Sequence, residues 1–200
     1  MQSRAKTAEY PLSSLAKGRY FAAFALLGLF LLIFLITVLV RLRMGGTVIA
    51  EKDRNPMPAL RVNLLNGESW SLAAHRGQVV AINYWASWCG PCWQETPMLI
   101  KINREFRPQG FAIIGISVDE RNSNETPLGV RHFVDVLRVP YPIALIAPMS
   151  QVSYSMEGLP TTILIDREGR IARIYVGAVR ERTFRDDIST LLKEPTPLLQ

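Results

Sequence analysis

Val79-Val80-Ala81-Ile82-Asn83-Tyr84-Trp85-Ala86-Ser87-Trp88-Cys89-Gly90-Pro91-Cys92 decides how the rest of the chain is read. The stretch Val79 to Trp85 is apolar but for Asn83, and its length and composition predict a buried strand. The two cysteines that follow are the only ones in the chain. Two intervening residues let both sulfurs lie in the first turn of a helix, close enough to form a small disulfide ring and to open it without refolding. The expected job is electron transfer between thiols. A zinc site would need two further ligands, and His75 and His132 stand at no zinc-ligand spacing, so no metal is expected. A structural staple also fits poorly, because closing a two-residue loop removes little entropy from the unfolded chain.

Upstream, residues 20–40 carry no charge and are almost entirely Phe, Leu, Ile, Val and Ala. At about 1.5 Å per residue such a helix covers the roughly 30 Å hydrocarbon core of a bilayer. It exceeds the apolar region of a secretory signal and is followed by Arg41 and Arg43 without a small-x-small cleavage site, so an uncleaved anchor is predicted. Basic residues flank it evenly, with Arg4, Lys6, Lys17 and Arg19 before and Arg41, Arg43, Lys52 and Arg54 after, and the charge rule for orientation is a tie. An exposed dithiol is of use on the oxidising side of a membrane, which places the amino terminus in the cytoplasm.

The net charge is +6. Residues 1–54 hold eight Lys or Arg against three Asp or Glu, whereas residues 55–200 hold fifteen against fourteen. The basicity belongs to the anchor and suits anionic lipid head groups; the remainder has no basic stripe for phosphates, and nucleic-acid binding is not expected. No glycine-rich nucleotide fingerprint is present, so no flavin or nicotinamide cofactor is expected and electrons must come from another protein.

Met44 to Pro58 reads as a short tether, and downstream of it Leu60 to Leu65 and Glu68 to Leu72 flank Asn66-Gly67 and predict a hairpin. Pro91 to Phe106 carries Met98, Leu99, Ile102 and Phe106 at helical spacing, with Cys89 at its amino end. Phe111 to Val118 reads as a buried strand, Thr126 to Leu137 as an amphipathic helix and Tyr141 to Ile146 as a short strand. Thr161 to Asp166 and Ile171 to Val176 form a second hairpin around Arg167-Glu168-Gly169-Arg170, and Arg182 to Leu192 a closing helix. His75 and His132 receive no role, and the charges of Asp119-Glu120-Arg121 and Arg180-Glu181-Arg182 read as solvated loop and cap residues.

The run Asn83 to Cys92, Glu95-Thr96-Pro97, and Gly158-Leu159-Pro160-Thr161-Thr162 with Ile165-Asp166 together resemble membrane-anchored thiol:disulfide oxidoreductases of the TlpA/ResA type, over most of residues 57–193. The resemblance implies an α/β thioredoxin fold with an N-terminal β-hairpin and a central helix and strand insertion, preceded by one transmembrane helix. It divides the chain into a cytoplasmic segment (1–19), an anchor (20–40), a linker (41–57), a thioredoxin-like domain (58–194) and a tail (195–200). It also implies that Pro160 is cis and packs beside the cysteines.

Cys89, at the helix amino terminus and the exposed end of the motif, is the expected nucleophile, since free backbone N–H groups and the helix dipole favour its thiolate. Cys92, one turn deeper, would resolve the mixed disulfide. Pro91 shapes the first turn at no cost in helical hydrogen bonds, and Gly90 permits close approach of a partner. Glu95 shares a helical face with Cys92 and is assigned proton handling, a role that leans on the resemblance; a solvated carboxylate favoured by the helix dipole is the alternative. Leu159 offers backbone groups and Pro160 a flat ring to an extended substrate. Trp88 is expected to shield one side of the disulfide or to cap the core, and Trp93 to contact substrate or to pack on a neighbouring loop.

The function expected is that of a single-pass protein of the bacterial inner membrane with its catalytic domain outside the cytoplasm. It would reduce disulfides of apocytochromes c or copper-centre proteins, with a polytopic transmembrane thiol-transporting reductase as electron donor. Disulfide oxidation or isomerisation is the alternative. Less favoured are a copper metallochaperone, which lacks a further soft ligand, and peroxide reduction, which lacks a Pro-x-x-x-Thr-x-x-Cys approach.

Overall fold

The computed structural model describes residues 26–38, 48–119, 127–145 and 157–195. Contacts part the chain into two units, Met1–Gly45 and Gly46–Gln200. In the first, residues 26–38 form a helix, α1, whose Phe30, Leu31 and Phe34 are exposed. Among the described residues no helix is long and apolar enough to cross a membrane. Positions 20–25, 39 and 40 of the expected anchor lie outside the described residues, as do 1–19, 41–47 and 196–200.

The second unit runs β1 (Arg61–Asn63), β2 (Ser69–Ser71), β3 (Val79–Trp85), α2 (Gly90–Phe106), β4 (Phe111–Ser117), α3 (Leu128–Leu137), β5 (Ile143–Leu145), β6 (Thr161–Ile165), β7 (Ile171–Val176) and α4 (Glu181–Lys193). Five strands form one sheet in the order β5-β4-β3-β6-β7. β3 pairs in parallel with β4 and antiparallel with β6. This is the thioredoxin-like α/β fold, and α3 with β5 is the inserted helix and strand.

Every residue of β3 is buried, which explains why its sequence shows no alternation: both faces of a central strand are covered. Val79, Ala81 and Trp85 meet Leu99 and Ile102 of α2, Phe133 of α3 and Phe184 and Ile188 of α4. Val80, Ile82 and Tyr84 meet Met57, Leu60, Trp70 and Leu72 from the amino-terminal part of the unit. The hairpin β1/β2 forms around Asn66-Gly67, where Gly67 takes φ +87° and the Glu68 N–H donates to Asn66 Oδ1 at 3.1 Å. His75 is a satisfied neighbour of this hairpin, accepting from Trp70 Nε1 at 3.1 Å and donating from Nδ1 to the Ser71 carbonyl at 3.0 Å.

The register fixes two ends. Trp85 stands opposite Ser117, and Tyr84 opposite Thr161, so the cysteine motif and the start of β6 share one end of the sheet. The β6–β7 turn lies at the other, with Ile165 opposite Val80. To that far end the chain docks residues 48–57, part of the expected linker. Ile49 N–H donates to the Ala172 carbonyl (2.8 Å), Met57 N–H to that of Gly169 (2.9 Å), and Ile171 N–H to that of Asn55 (2.8 Å). Glu51–Asp53 form a 3-10 turn. Arg54 is buried, giving Nη1 to Asp166 at 3.1 Å and both terminal nitrogens to Glu194 at 2.7 and 2.6 Å. These residues belong to the domain, because backbone and guanidinium find partners there that a free linker would have to find in water.

Candidate active site

Helix α2 begins at the motif for local reasons. Cys89 is its N-cap, with extended backbone and a sulfur that accepts from the Cys92 N–H at 3.2 Å, and Pro91 sits in the first turn where the missing donor costs nothing. Cys89 and Cys92 are joined as a disulfide. Cys92 is buried as expected, at 1% exposed, and Cys89 is better shielded than the sequence predicts, at 6%, since the ring packs on the helical face of the core. The order of exposure is the one expected for nucleophile and resolving thiol. A Cβ placed on Gly90 would meet nothing, so the space beside the ring is open to a partner.

Glu95 is 4% exposed, which removes the solvated-carboxylate reading. Its Oε2 accepts from Asn83 Nδ2 at 3.3 Å and its Oε1 from the Val179 N–H at 2.8 Å. Burial holds its carboxyl above the usual range, and those two donors only partly offset the effect. Asn83 also donates to Thr162 Oγ1 at 3.0 Å, which anchors the amide between helix and sheet. Tyr141 lies close by, bonded to the Thr96 hydroxyl; burial raises its phenol, and the charge of Glu95 adds to the shift. A carboxyl in this setting can hold a proton and release it one helical turn from Cys92.

The Leu159–Pro160 bond is cis, and Pro160 is buried at the start of β6. Because Thr161 pairs with Tyr84, this loop runs beside the end of β3 that leads into the cysteines. Leu159 is half-buried next to it. Trp88, in contrast, is 72% exposed; it caps no core and stands in solvent next to Cys89. Trp93 resolves the other way, packing edge-on to Phe133 with centroids 4.5 Å apart and donating Nε1 to the Ser87 carbonyl at 2.8 Å.

Asp119 is a correction. It is not a solvated loop charge but is buried, accepting from the Ser87 N–H (2.8 Å), the Ser87 hydroxyl and the Ser117 hydroxyl (2.7 Å). It thereby ties the loop before Cys89 to the end of β4. The inserted helix supports the same loop: Phe133 stacks on Trp85 at 4.0 Å, and Gly129 approaches so closely that a Cβ there would sit 3.1 Å from Ser87 Cβ and overlap its hydroxyl. Asp119, Gly129, Tyr141, Thr162 and Val179 were missed by sequence reasoning. The Ser-x-Asp spacing of Ser117 and Asp119 at a strand end was the one local signal available.

A family profile described as Redoxin matches residues 52–192. The thiol-disulfide oxidoreductase ResA of Halalkalibacterium halodurans is 33% identical over 131 residues, covering 65% of this chain and 72% of that one. Thioredoxin-like protein YneN of Bacillus subtilis is 30% identical over 125 residues, 62% of this chain and 72% of its own. Among solved structures, a DsbF homologue from Corynebacterium diphtheriae superposes with a TM-score of 0.62 at 27% identity, covering 74% of this chain and 95% of that one.

Proposed function

This chain belongs to the redoxin family and is a thiol:disulfide oxidoreductase of the TlpA/ResA type; on that premise we propose that it works as a membrane-tethered reductase of protein disulfides outside the cytoplasm. The observation that carries this reading is the Cys-Gly-Pro-Cys pair at the start of α2 with the buried Glu95 one turn beyond it. In the reduced protein, the Cys89 thiolate attacks one sulfur of a substrate disulfide. A mixed disulfide forms, and the first substrate sulfur leaves as a thiolate that takes a proton from water. Cys92 then gives its proton to Glu95 and attacks the Cys89 sulfur, closing the Cys89–Cys92 bond and expelling the second substrate thiolate. Two electrons have passed to the substrate. A proton acceptor beside the resolving thiol speeds that second step in either direction, and the potential of the pair sets which way electrons flow.

The apolar residues 20–40 support a tether in the bacterial inner membrane, and the placement of a dithiol suits the extracytoplasmic side. The substrates proposed are apocytochromes c or copper-centre proteins, approached along Trp88, Gly90, Pro91 and the Leu159–Pro160 edge. The electrons would come from a transmembrane thiol-transporting reductase. Equilibration of the full chain against defined thiol buffers tests the direction. A potential near that of thioredoxin, about −270 mV, is expected; one near that of a strong oxidant, about −120 mV, would make disulfide formation the function instead.

A further inference from the structure

Two residues of the turn between β7 and α4 reach two different parts of the reaction centre. β6 and β7 pair as far as Thr161 and Val176, and the ladder takes one more step, with the Gly177 N–H donating to the Pro160 carbonyl at 2.8 Å. Gly158 sits against the same end of β7, since a Cβ placed on it would lie 3.8 Å from Val176 Cγ1. The cis-proline loop is thus fastened to the end of β7. Two residues on, the Val179 N–H donates to Glu95 Oε1 at 2.8 Å. The turn passes from one partner to the other in so few residues because Gly177 takes φ +82°, in the region that favours glycine. Ala178, between the two donors, is exposed, while Val179 is half-buried and packs on the helical face of the core.

A backbone N–H suits the second contact. It neither titrates nor swings away, and with the Val179 side chain packed and Gly177 bonded, its dipole is in place before the reaction begins. It favours the ionised carboxyl, against the burial that opposes it. The other donor to Glu95, Asn83 Nδ2, stands farther off at 3.3 Å and also serves Thr162. The titratable groups near this carboxyl are Cys92 on its own helix and Tyr141 ahead of β5; β3 and β6 face it with Asn83 and Thr162, which do not titrate.

We propose that Val179 is a positioning residue for the resolving step, its N–H fixing the Glu95 carboxylate to receive the Cys92 proton, and that Gly177 makes this acceptor and the substrate seat at Pro160 one rigid unit. In that step the Cys92 sulfur bonds to that of Cys89, the Cys92 proton passes to Glu95, and the substrate thiolate leaves. The role presupposes Glu95 as the acceptor of that proton and adds what keeps it ionised and aimed. A substrate seated on Leu159 and Pro160 rests on the turn that holds the acceptor.

The test follows the reduced full chain against an aromatic disulfide whose halves absorb on release; the first release reports attack by Cys89 and the second resolution by Cys92. Replacing the Val179 amide by an ester removes the donor and keeps the side chain. The acid limb of the resolution rate is expected to move to higher pH, slowing that step there about threefold or more, with the plateau and the first release retained. Gly177→Ala has room for its methyl but is strained at that φ; it is expected to move the limb the same way and to raise KM for a protein disulfide, and Gly177→Asn to restore both. In the unaltered chain with its disulfide closed, the Val179 amide proton should shift with pH at the midpoint of the Glu95 carboxyl carbon, and stay still in Glu95→Gln. An ester with its acid limb in place, a lowered plateau alone, a Gly177→Ala chain that changes neither measure, or a Val179 amide that ignores Glu95 would each overturn the proposal. If Glu95→Gln keeps the acid limb, the acceptor role falls and this one with it; if that variant removes the limb and the ester does not move it, the role of Val179 alone fails.

Discussion

At Glu95 the fold keeps a carboxyl nearly out of water, and this burial has an energetic sign. The folded state holds the proton more tightly than the unfolded chain, whose value is near 4.5. The stabilisation this brings is complete below that value and is lost as pH rises through the raised folded one. Glu95→Gln is therefore expected to raise the denaturation midpoint at pH 7, with the gain vanishing near pH 4. The same variant should slow resolution of the mixed disulfide by about 10²-fold in single-turnover kinetics. A higher midpoint with an unchanged rate would leave Glu95 as a buried group without a proton-transfer role. Trp88 is the opposite case. With its ring in solvent, Trp88→Ala should move stability by less than about 0.5 kcal/mol. KM for a protein disulfide should rise, while turnover of a small-molecule disulfide stays as it was.

Helix α3 shows how an inserted element becomes part of a site. Its spacing marked it as amphipathic, and the structure adds what it packs on: Phe133 on Trp85, Trp93 on Phe133, and Gly129 on Ser87. Gly129→Ala is expected to cost about 1–3 kcal/mol, because the new methyl must displace Ser87 or push α3 off the loop. Urea denaturation measures the cost, and faster amide exchange at Ser87 and Trp88 locates it. Local elements were legible here for a simple reason. β3, α2 and the two hairpins are set by residues adjacent in sequence, among them Asn66-Gly67 and Pro91. Asp119 was misread because the groups that justify its burial include Ser87, 32 residues away.

Across the whole molecule the cysteine motif and the docking of residues 48–57 occupy opposite ends of the sheet. Arg54 is the clasp at the far end, its guanidinium held charged mainly by Glu194 and further by Asp166. Arg54→Met should cost about 3 kcal/mol, at the lower end for a broken buried pair, since Arg170 still contacts Asp166 and Glu194 retains some exposure. Urea denaturation at neutral pH measures it. Proteolysis after Lys52 should accelerate in the same variant if the docked segment is released.

The chain's own order of residues determined the redox pair, the helix that presents it, the alternation of strands and helices, and the family motif around Leu159-Pro160. Each depends on neighbours within a few positions, where spacing and turn chemistry speak directly. Tertiary structure alone decided that Asn83, Thr162 and Val179 surround Glu95, and that Asp119 holds the loop before Cys89. Those outcomes depend on sheet register, which brings together groups as far apart as the 84 residues between Glu95 and Val179, and no local pattern encodes such a meeting.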